Sequence, residues 1–146
     1  MREPGRLTSQ TPIRVRYAET DAMGIVHHSN YVVWFEAGRS DYIRQGGSSY
    51  ADLERAGYHL VVSEIDARYL VPARYDEIVV VHTWLEEARS RKLVFGYTVV
   101  RPATGETLCT GHTHHICTDH QGRVTTIPAW IRPILAGTWR GGGMQE

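Results

Sequence analysis

Hydrophobic and polar residues alternate along most of the second half of this chain, with the period of two that predicts β-strands. Four such runs follow one another, at 59–70, 76–87, 92–101 and 106–118. Short turns rich in Gly, Pro and Asp separate most of them, which favours hairpin connections. Strands joined in this way pair antiparallel, so the pattern predicts an antiparallel sheet.

The first half of the chain has a different pattern. An alternating run at Ile13–Tyr17 predicts one more strand, which gives a sheet of about five. The residues from 30 to 45 favour a long helix, and those from 50 to 56 a short one. A last helical segment is predicted at 127–135, behind a proline. Because helices and strands are segregated along the chain, we expect the α+β class.

The long helix is expected to begin with Ser29 or Asn30 as its cap and to end at Gly46-Gly47. Its large apolar residues do not fall on a single stripe, as they would in an amphipathic surface helix. We therefore expect the sheet to wrap around this helix. The apolar residues are Val32, Val33, Trp34, Phe35, Tyr42 and Ile43.

Composition limits the class of protein. The chain has 146 residues, 42% of them hydrophobic, which is enough for one domain with its own core. Sixteen basic and sixteen acidic residues cancel, so the net charge indicates neither nucleic acid nor an anionic membrane as partner. Cys109 and Cys117 share one predicted strand and imply no disulfide framework.

The chain ends predict no targeting segment. Residues 1–10 are polar, unlike a signal peptide, and no run approaches the roughly 20 apolar residues of a membrane span. The glycine-rich residues 141–146 are expected to fray. We therefore expect one soluble, cytoplasmic domain over 1–146, with its core at about 12–120.

The candidate chemistry lies between the first strand and the long helix. Asp21, Gly24, His27 and His28 fall within a few residues of the helix start. A helix start presents unpaired N–H groups and the positive end of the helix dipole. A carboxylate ahead of these donors fits attack on a carbonyl whose oxygen becomes negative. The alternative is that Asp21 only caps a turn before Gly24.

Two motifs carry a family resemblance. Asp21-Ala22-Met23-Gly24-Ile25-Val26 is followed by Tyr31 in the helix, and Tyr69–Glu77 supplies a second motif at the expected distance. Together they resemble the 4-hydroxybenzoyl-CoA thioesterase-like branch of the hotdog-fold acyl-CoA thioesterases, over about residues 12–120. The resemblance implies a five-stranded antiparallel sheet around a central helix, and hydrolysis of an acyl-CoA thioester.

The resemblance also implies residue roles. Asp21 is the catalytic carboxylate, acting as nucleophile or as general base for water. The backbone N–H at His28 polarises the thioester carbonyl, and Tyr31 takes the aromatic position inside the helix. Gly24 makes a tight turn and lets the backbone approach the thioester. The residues leave open whether the side chain of His27 or of His28 takes part, and a partly exposed cap is the alternative for His28.

Further residues are predicted to bind substrate. Arg91 and Lys92 belong to the basic turn at 89–92, which is expected either to be solvated or to hold the phosphates of coenzyme A. Tyr69 and Pro72 are expected to shape the acyl pocket. Glu36 is a second candidate, because another hotdog branch places its catalytic glutamate on the central helix; a buried structural glutamate is the alternative.

Neither a metal nor an organic cofactor is expected. In a strand His112 and His114 share one face while His115 points to the other, which leaves too few ligands for zinc. The partners expected are an acyl-CoA substrate and further copies of the chain, as a dimer or tetramer, because a sheet of this kind has open edges. Two other functions stay open: an acyl-carrier-protein thioesterase and a non-catalytic acyl-CoA-binding module.

Overall fold

The computed structural model describes residues 7–135, in which five strands and one long helix predominate. The strands are β1 Thr8–Arg14, β2 Tyr58–Tyr69, β3 Ile78–Ala88, β4 Lys92–Arg101 and β5 Glu106–Asp119. The helices are α1 Ser29–Gln45, α2 Tyr50–Arg55 and α3 Arg132–Leu135, with a 3₁₀ turn at Tyr17–Glu19. The predicted α+β class and element order are confirmed. None of the helices within 7–135 is long and apolar enough to cross a membrane.

The five strands form one antiparallel sheet in the order β1-β3-β4-β5-β2. Hairpins join β3 to β4 and β4 to β5, while β2 follows the helices and pairs with the far side of β5. Among the described strands β1 and β2 are therefore the edges. The end of β2 near Tyr69 and the basic turn before β4 lie at opposite ends of the sheet, since Tyr69 pairs with Cys109 and Lys92 with Ile116.

The long helix α1 lies across one face of the sheet. Gly38 allows this close approach, because a Cβ there would lie 2.3 Å from Thr83 Oγ1 on β3. The sheet covers one side of the helix, and Val33 on the other side stays 55% exposed. Val33 therefore lies outside the part of the helix that the sheet covers. The buried helix residues are Tyr31, Trp34, Phe35, Gly38, Tyr42 and Ile43.

The end of α1 agrees with the sequence and its beginning does not. Gly47 has a φ of 97° and donates its N–H to Arg44, so the predicted stop is confirmed. At the beginning neither Ser29 nor Asn30 is the cap, because the helix already includes both. Instead the Nδ1 of the His27 ring accepts the Ser29 N–H at 3.3 Å.

The first strand is displaced from its predicted place. β1 runs over Thr8–Arg14 instead of Ile13–Tyr17, because pairing with β3 begins at Thr8 and Trp84. Pro12 is tolerated in β1 because this is an edge strand, where a missing donor costs no pairing. The chain turns into the 3₁₀ segment at Tyr17, which ends the alternating run.

The last predicted helix is mostly absent. Only Arg132–Leu135 is helical, and the residues before it are bound elsewhere. The N–H groups of Thr125 and Ile127 donate to the carbonyls of Cys117 and Ser90, at 2.9 and 2.8 Å. These bonds hold the segment extended against the end of β5 and the basic turn. The residues expected to fray, 141–146, lie outside the described part of the chain.

Candidate active site

A cavity of about 350 Å³ opens where the first loop, the start of α1 and the end of β2 meet. Its volume is in the range of small-molecule sites. Five of the eight predicted site residues line it, together with apolar residues from the same three segments. The lining residues are Asp21, Met23, Ile25, Val26, His28, Tyr31, Tyr69, Leu70, Val71 and Pro72.

Asp21 sits in a tight loop that one of its own oxygens helps to form. Its Oδ1 accepts the N–H groups of Met23 at 2.8 Å and of Ile25 at 3.4 Å. The Asp21 N–H in turn donates to the Ile25 carbonyl at 2.8 Å. Oδ2 has no hydrogen-bond donor among residues 7–135. The turn-cap role and a chemical role therefore use different oxygens of the same carboxylate, and both are compatible with the geometry.

Gly24 is required by backbone conformation rather than by space. Its φ is 81°, in the left-handed region that side-chain-bearing residues avoid. A Cβ at this position would meet no atom within 4 Å. The predicted turn is therefore confirmed, while Gly24 itself does not line the cavity.

The two histidines at the helix start face different surroundings. The His27 ring is bonded to Ser29, with Nδ1 2.8 Å from the Ser29 hydroxyl oxygen. The His28 side chain is exposed and lines the cavity. The His28 N–H has no acceptor among residues 7–135, and its carbonyl accepts the Tyr31 N–H. Of the two imidazoles, the structure thus turns that of His28 towards the cavity.

Two tyrosines connect the helix start to the sheet. Tyr69 at the end of β2 donates its hydroxyl to the His28 carbonyl at 3.2 Å. Tyr31 in α1 accepts the Ala73 N–H at 3.3 Å, and its ring lies against that of Tyr69. Burial raises the pKa of both phenols, so each stays a neutral hydroxyl near neutral pH.

The basic turn is not part of this cavity. Lys92 is the first residue of β4. Tyr69, which lines the cavity, pairs with Cys109 on β5, and Cys109 pairs with Val99 on β4. Seven residues of strand separate Lys92 from Val99, roughly 23 Å at about 3.3 Å per residue. Arg91 is exposed in the turn itself. Within one chain the structure therefore does not bring Arg91 and Lys92 to Asp21.

The other candidate residues also lie away from the cavity. Glu36 is exposed on the outer side of α1, which contradicts the expectation of a buried structural glutamate and also separates it from Asp21. His112 and His114 face Asp66 and Glu64 across the strand pair, as predicted for one shared face. Within 7–135 no three His, Cys, Asp or Glu residues are grouped to hold a metal ion.

Glu19 was missed by sequence reasoning, although it stands two residues before Asp21. Its side chain is only 5% exposed and accepts the Trp34 indole N–H at 3.1 Å and the Arg16 N–H at 2.8 Å. Burial alone would raise the pKa of Glu19, but these hydrogen bonds outweigh it and lower the pKa. The Glu19 carbonyl also accepts the His27 N–H at 2.8 Å. An acidic residue beside the motif was the only available signal.

The five-stranded antiparallel sheet with one long helix across it is the predicted hotdog fold. The Thioesterase-like superfamily model matches residues 15–135, so this chain belongs to that superfamily. The chain is 45% identical over 113 residues to YneP of Bacillus subtilis, which is named as a candidate acyl-CoA thioesterase; the match covers 77% of this chain and 81% of YneP.

Two further relatives have more definite names. YbgC of Escherichia coli, an acyl-CoA thioester hydrolase, is 34% identical over 89 residues, which cover 61% of this chain and 66% of YbgC. The crystal structure of a DHNA-CoA thioesterase from Staphylococcus aureus matches with a TM-score of 0.78 at 38% identity, covering 82% of this chain and 80% of that one. The predicted hotdog fold and the class of thioester hydrolase are confirmed. The narrower 4-hydroxybenzoyl-CoA thioesterase-like branch stays a prediction.

Proposed function

We propose that this protein hydrolyses an acyl-CoA thioester to the free acid and coenzyme A, with Asp21 as its catalytic carboxylate. The observation that carries the proposal is the single cavity shared by Asp21 and His28 at the start of α1. The names of YneP, YbgC and the Staphylococcus aureus enzyme support the substrate class.

In the proposed reaction the thioester carbonyl oxygen points to the helix start. The N–H of His28 and the dipole of the 17-residue helix α1 stabilise the negative charge that develops on this oxygen. Tyr69 supports the arrangement, since its bond to the His28 carbonyl fixes the peptide that follows the donor.

Two routes for Asp21 are consistent with its geometry. In the nucleophilic route Oδ2 attacks the carbonyl carbon, coenzyme A leaves as the thiolate, and water then hydrolyses the acyl-aspartyl anhydride. In the general-base route Asp21 takes a proton from water, the resulting hydroxide attacks, and the departing thiolate recovers that proton. Both routes need Asp21 as the carboxylate and leave Oδ1 in the turn.

The activity is tested with purified protein on a panel of aliphatic, branched and aromatic CoA esters, by measuring release of free thiol. The aromatic esters include 4-hydroxybenzoyl-CoA, because of the predicted branch. We expect turnover of at least one class. Turnover of an acyl-carrier-protein thioester in preference to every CoA ester would favour the carrier-protein alternative. Binding of CoA esters without any turnover would favour the non-catalytic module.

We also propose that the chain forms a homo-oligomer through β2. This edge strand has 12 residues and keeps apolar side chains exposed on the helix side of the sheet: Val62, Ile65 and Tyr69 are 38%, 43% and 47% exposed. A long apolar edge strand left uncovered would favour aggregation, so a second copy is the natural partner.

The oligomer is tested by light scattering on Ile65→Lys, with Val124→Lys as control. Val124 is 59% exposed and lies beyond the end of β5, away from β2. We expect Ile65→Lys to shift the protein towards the monomer and Val124→Lys to leave its mass unchanged. Equal masses for all three proteins would remove β2 from the interface.

An oligomer of this kind would give the basic turn a role. A two-fold axis across β2 pairs the two copies antiparallel, so the Tyr69 end of one β2 lies beside the Tyr58 end of the other. The basic turn lies at this Tyr58 end of its own sheet, because Lys92 and Val61 both pair with Ile116. We therefore propose that Arg91 and Lys92 hold the phosphates of a coenzyme A whose acyl group occupies the other copy's cavity.

A further inference from the structure

The wall of the cavity opposite α1 is a segment without regular structure, residues 70–77. It is bonded directly to the loop that carries Asp21. The Val26 N–H donates to the Ala73 carbonyl at 2.9 Å, and Ile25 forms an antiparallel bridge with Arg74. Any shift of this wall is therefore passed to the residues that close the Asp21 turn.

Arg101, at the end of β4, holds this wall in place. Its side chain is only 14% exposed. Its Nη2 donates to the Pro72 carbonyl at 2.9 Å. Nε and Nη2 also donate to Oε2 and Oε1 of Glu77, at 2.9 and 3.1 Å. A third nitrogen pairs with Glu106 on β5. One side chain thus joins two strands of the sheet to Pro72 and Glu77 in the cavity wall.

Glu77 continues the connection on the wall side. Its Oε1 accepts the Arg74 N–H at 2.7 Å, and its carbonyl accepts the Val15 N–H at 2.9 Å, just ahead of the Asp21 loop. Burial alone would raise the pKa of Glu77, but the bonds from Arg101 and Arg74 outweigh it and lower the pKa. Glu77 is therefore a carboxylate near neutral pH, as a two-point bond to a guanidinium requires.

We propose that Arg101 and Glu77 are a positioning pair for the hydrolysis. They hold the wall at Pro72 and Arg74, and through it the Asp21 turn, in register with the start of α1. Neither residue lines the cavity, so both act through the backbone they bind. This inference rests on the proposed function. It gives a role in the reaction to Arg101, a strand residue far from the Asp21 motif in sequence. Displacements of about 1 Å at a reacting group can cost about 100-fold in rate.

The test compares Arg101→Met and Arg101→Lys with Arg44→Met as the matched control. Arg44 also pairs with a carboxylate, Asp41, but on the exposed outer side of α1. Turnover is measured well below each variant's melting temperature, so that only folded protein is compared. We expect Arg101→Met to lower kcat about 10- to 100-fold with a smaller change in KM, and Arg44→Met to leave both unchanged.

Arg101→Lys separates positioning from charge. Lysine keeps the charge but lacks the planar fork that bonds Glu77 twice and Pro72 at once. We expect it to recover most of the melting temperature lost in Arg101→Met and little of the kcat. Recovery of both in parallel, or a wild-type kcat in folded Arg101→Met, would overturn the proposal.

A second measurement does not depend on activity. Hydrogen exchange of the Val26 amide, which donates to the Ala73 carbonyl, reports whether the wall and the Asp21 loop stay joined. Exchange of the Ala73 amide, which donates to the Tyr31 hydroxyl, reports whether the wall stays joined to α1. We expect faster exchange at both in Arg101→Met and wild-type exchange in Arg44→Met. Unchanged exchange at both amides would overturn the proposal even if the protein is a thioesterase. If the wild-type protein hydrolyses no thioester, the proposed function fails, and the exchange result still decides whether Arg101 and Glu77 hold the wall.

Discussion

The Asp21 loop and the basic turn at 89–92 are both predicted to serve the substrate, yet they are built in opposite ways. The Asp21 loop is held by hydrogen bonds to the buried Glu19 at its start and to Ala73 in the cavity wall. The basic turn projects into solvent, with Arg91 exposed and Arg89 paired to Glu87 on the surface. A loop held by buried hydrogen bonds suits chemistry that depends on precise geometry, and exposed basic side chains suit a polyphosphate.

The difference also appears in the energetics. The bonds to Glu19 are desolvated, so losing one leaves a buried group unpaired, which costs about 1–3 kcal/mol. Exposed ion pairs such as Arg89 with Glu87 contribute little to stability, because water and salt screen them. Changes in the first region should therefore affect rate and stability, and changes in the second only substrate binding.

The largest effect is expected at Asp21. Asp21→Asn keeps the shape of the turn, since the amide oxygen can accept the bonds that Oδ1 accepts now. It removes the nucleophile or base, so kcat should fall at least about 100-fold for CoA esters and for short thioesters alike. Asp41→Asn, on the outer side of α1, is the control and should keep wild-type kcat. A variant that retains more than about a tenth of the wild-type rate would remove Asp21 from the mechanism.

Glu19→Gln should weaken the buried hydrogen bonds that hold the Asp21 loop. The glutamine NH₂ group must face one of two donors, the Arg16 N–H or the Trp34 indole, and leaves it unpaired. We expect a loss of about 1–3 kcal/mol in the free energy of unfolding near neutral pH, measured with urea, and about a tenfold lower kcat. The folded-state pKa of Glu19 is lowered. The extra free energy of unfolding of the wild type should therefore shrink as the pH falls below the pKa of an unfolded glutamate.

The exposed Glu54→Gln serves as control for Glu19 and should change neither quantity. A stability loss in Glu19→Gln with unaltered kcat would show that the loop does not depend on this anchor for its geometry.

His115 tests the far end of the sheet, where it pairs with Leu93 next to the basic turn. Burial, with a smaller effect of Arg39, lowers the pKa of His115 to about 4 from 6.5. The unfolded chain therefore takes up this proton first, and stability falls as the pH drops below about 6.5. Between about pH 7 and about pH 5 the wild-type protein should lose about 2 kcal/mol that His115→Gln does not lose.

The measurement is urea unfolding of both proteins at the two pH values, with the exposed His120→Gln as control. Folded His115→Gln should keep wild-type kcat near neutral pH. The same pH dependence in wild type and His115→Gln would show that this imidazole is not held neutral in the fold.

The smallest effect is expected at the basic turn. Arg91→Ala with Lys92→Ala should raise KM for a CoA ester about tenfold and leave KM for a short thioester without the nucleotide unchanged. The difference from wild type should shrink at high salt. Arg123→Ala, in the neighbouring turn, is the control. Equal changes in KM for both substrates would mean that the turn does not contact the nucleotide.

How much of this was predictable differs between the two halves of the site. The Asp21 motif is local in sequence, so its turn, its glycine and its place before a helix could be predicted. The long-range partners could not: Trp34 reaches Glu19 from α1, and Arg101 reaches Glu77 from another strand. No local pattern specifies such pairs, because they depend on the register of the sheet.

The strands show the same limit. β4 has its predicted bounds because both of its faces are packed and its turns are marked by charged residues and Gly. β1 was misplaced, because residues 8–12 carry no apolar alternation and are held by pairing with β3. An edge strand that is held by pairing with its neighbour need not show a strand pattern in its own sequence.

The central claim is that the Asp21 loop performs the chemistry while the basic turn only binds. Single-turnover hydrolysis of a CoA ester at saturating enzyme tests it most directly. At saturation all the substrate is bound, so the rate constant reports the chemical step and not the affinity for substrate. We predict a rate constant at least about 100-fold below wild type for Asp21→Asn, and the wild-type value for Arg91→Ala with Lys92→Ala. A near-normal rate in the first variant, or a rate in the second that stays low at saturation, would contradict the account.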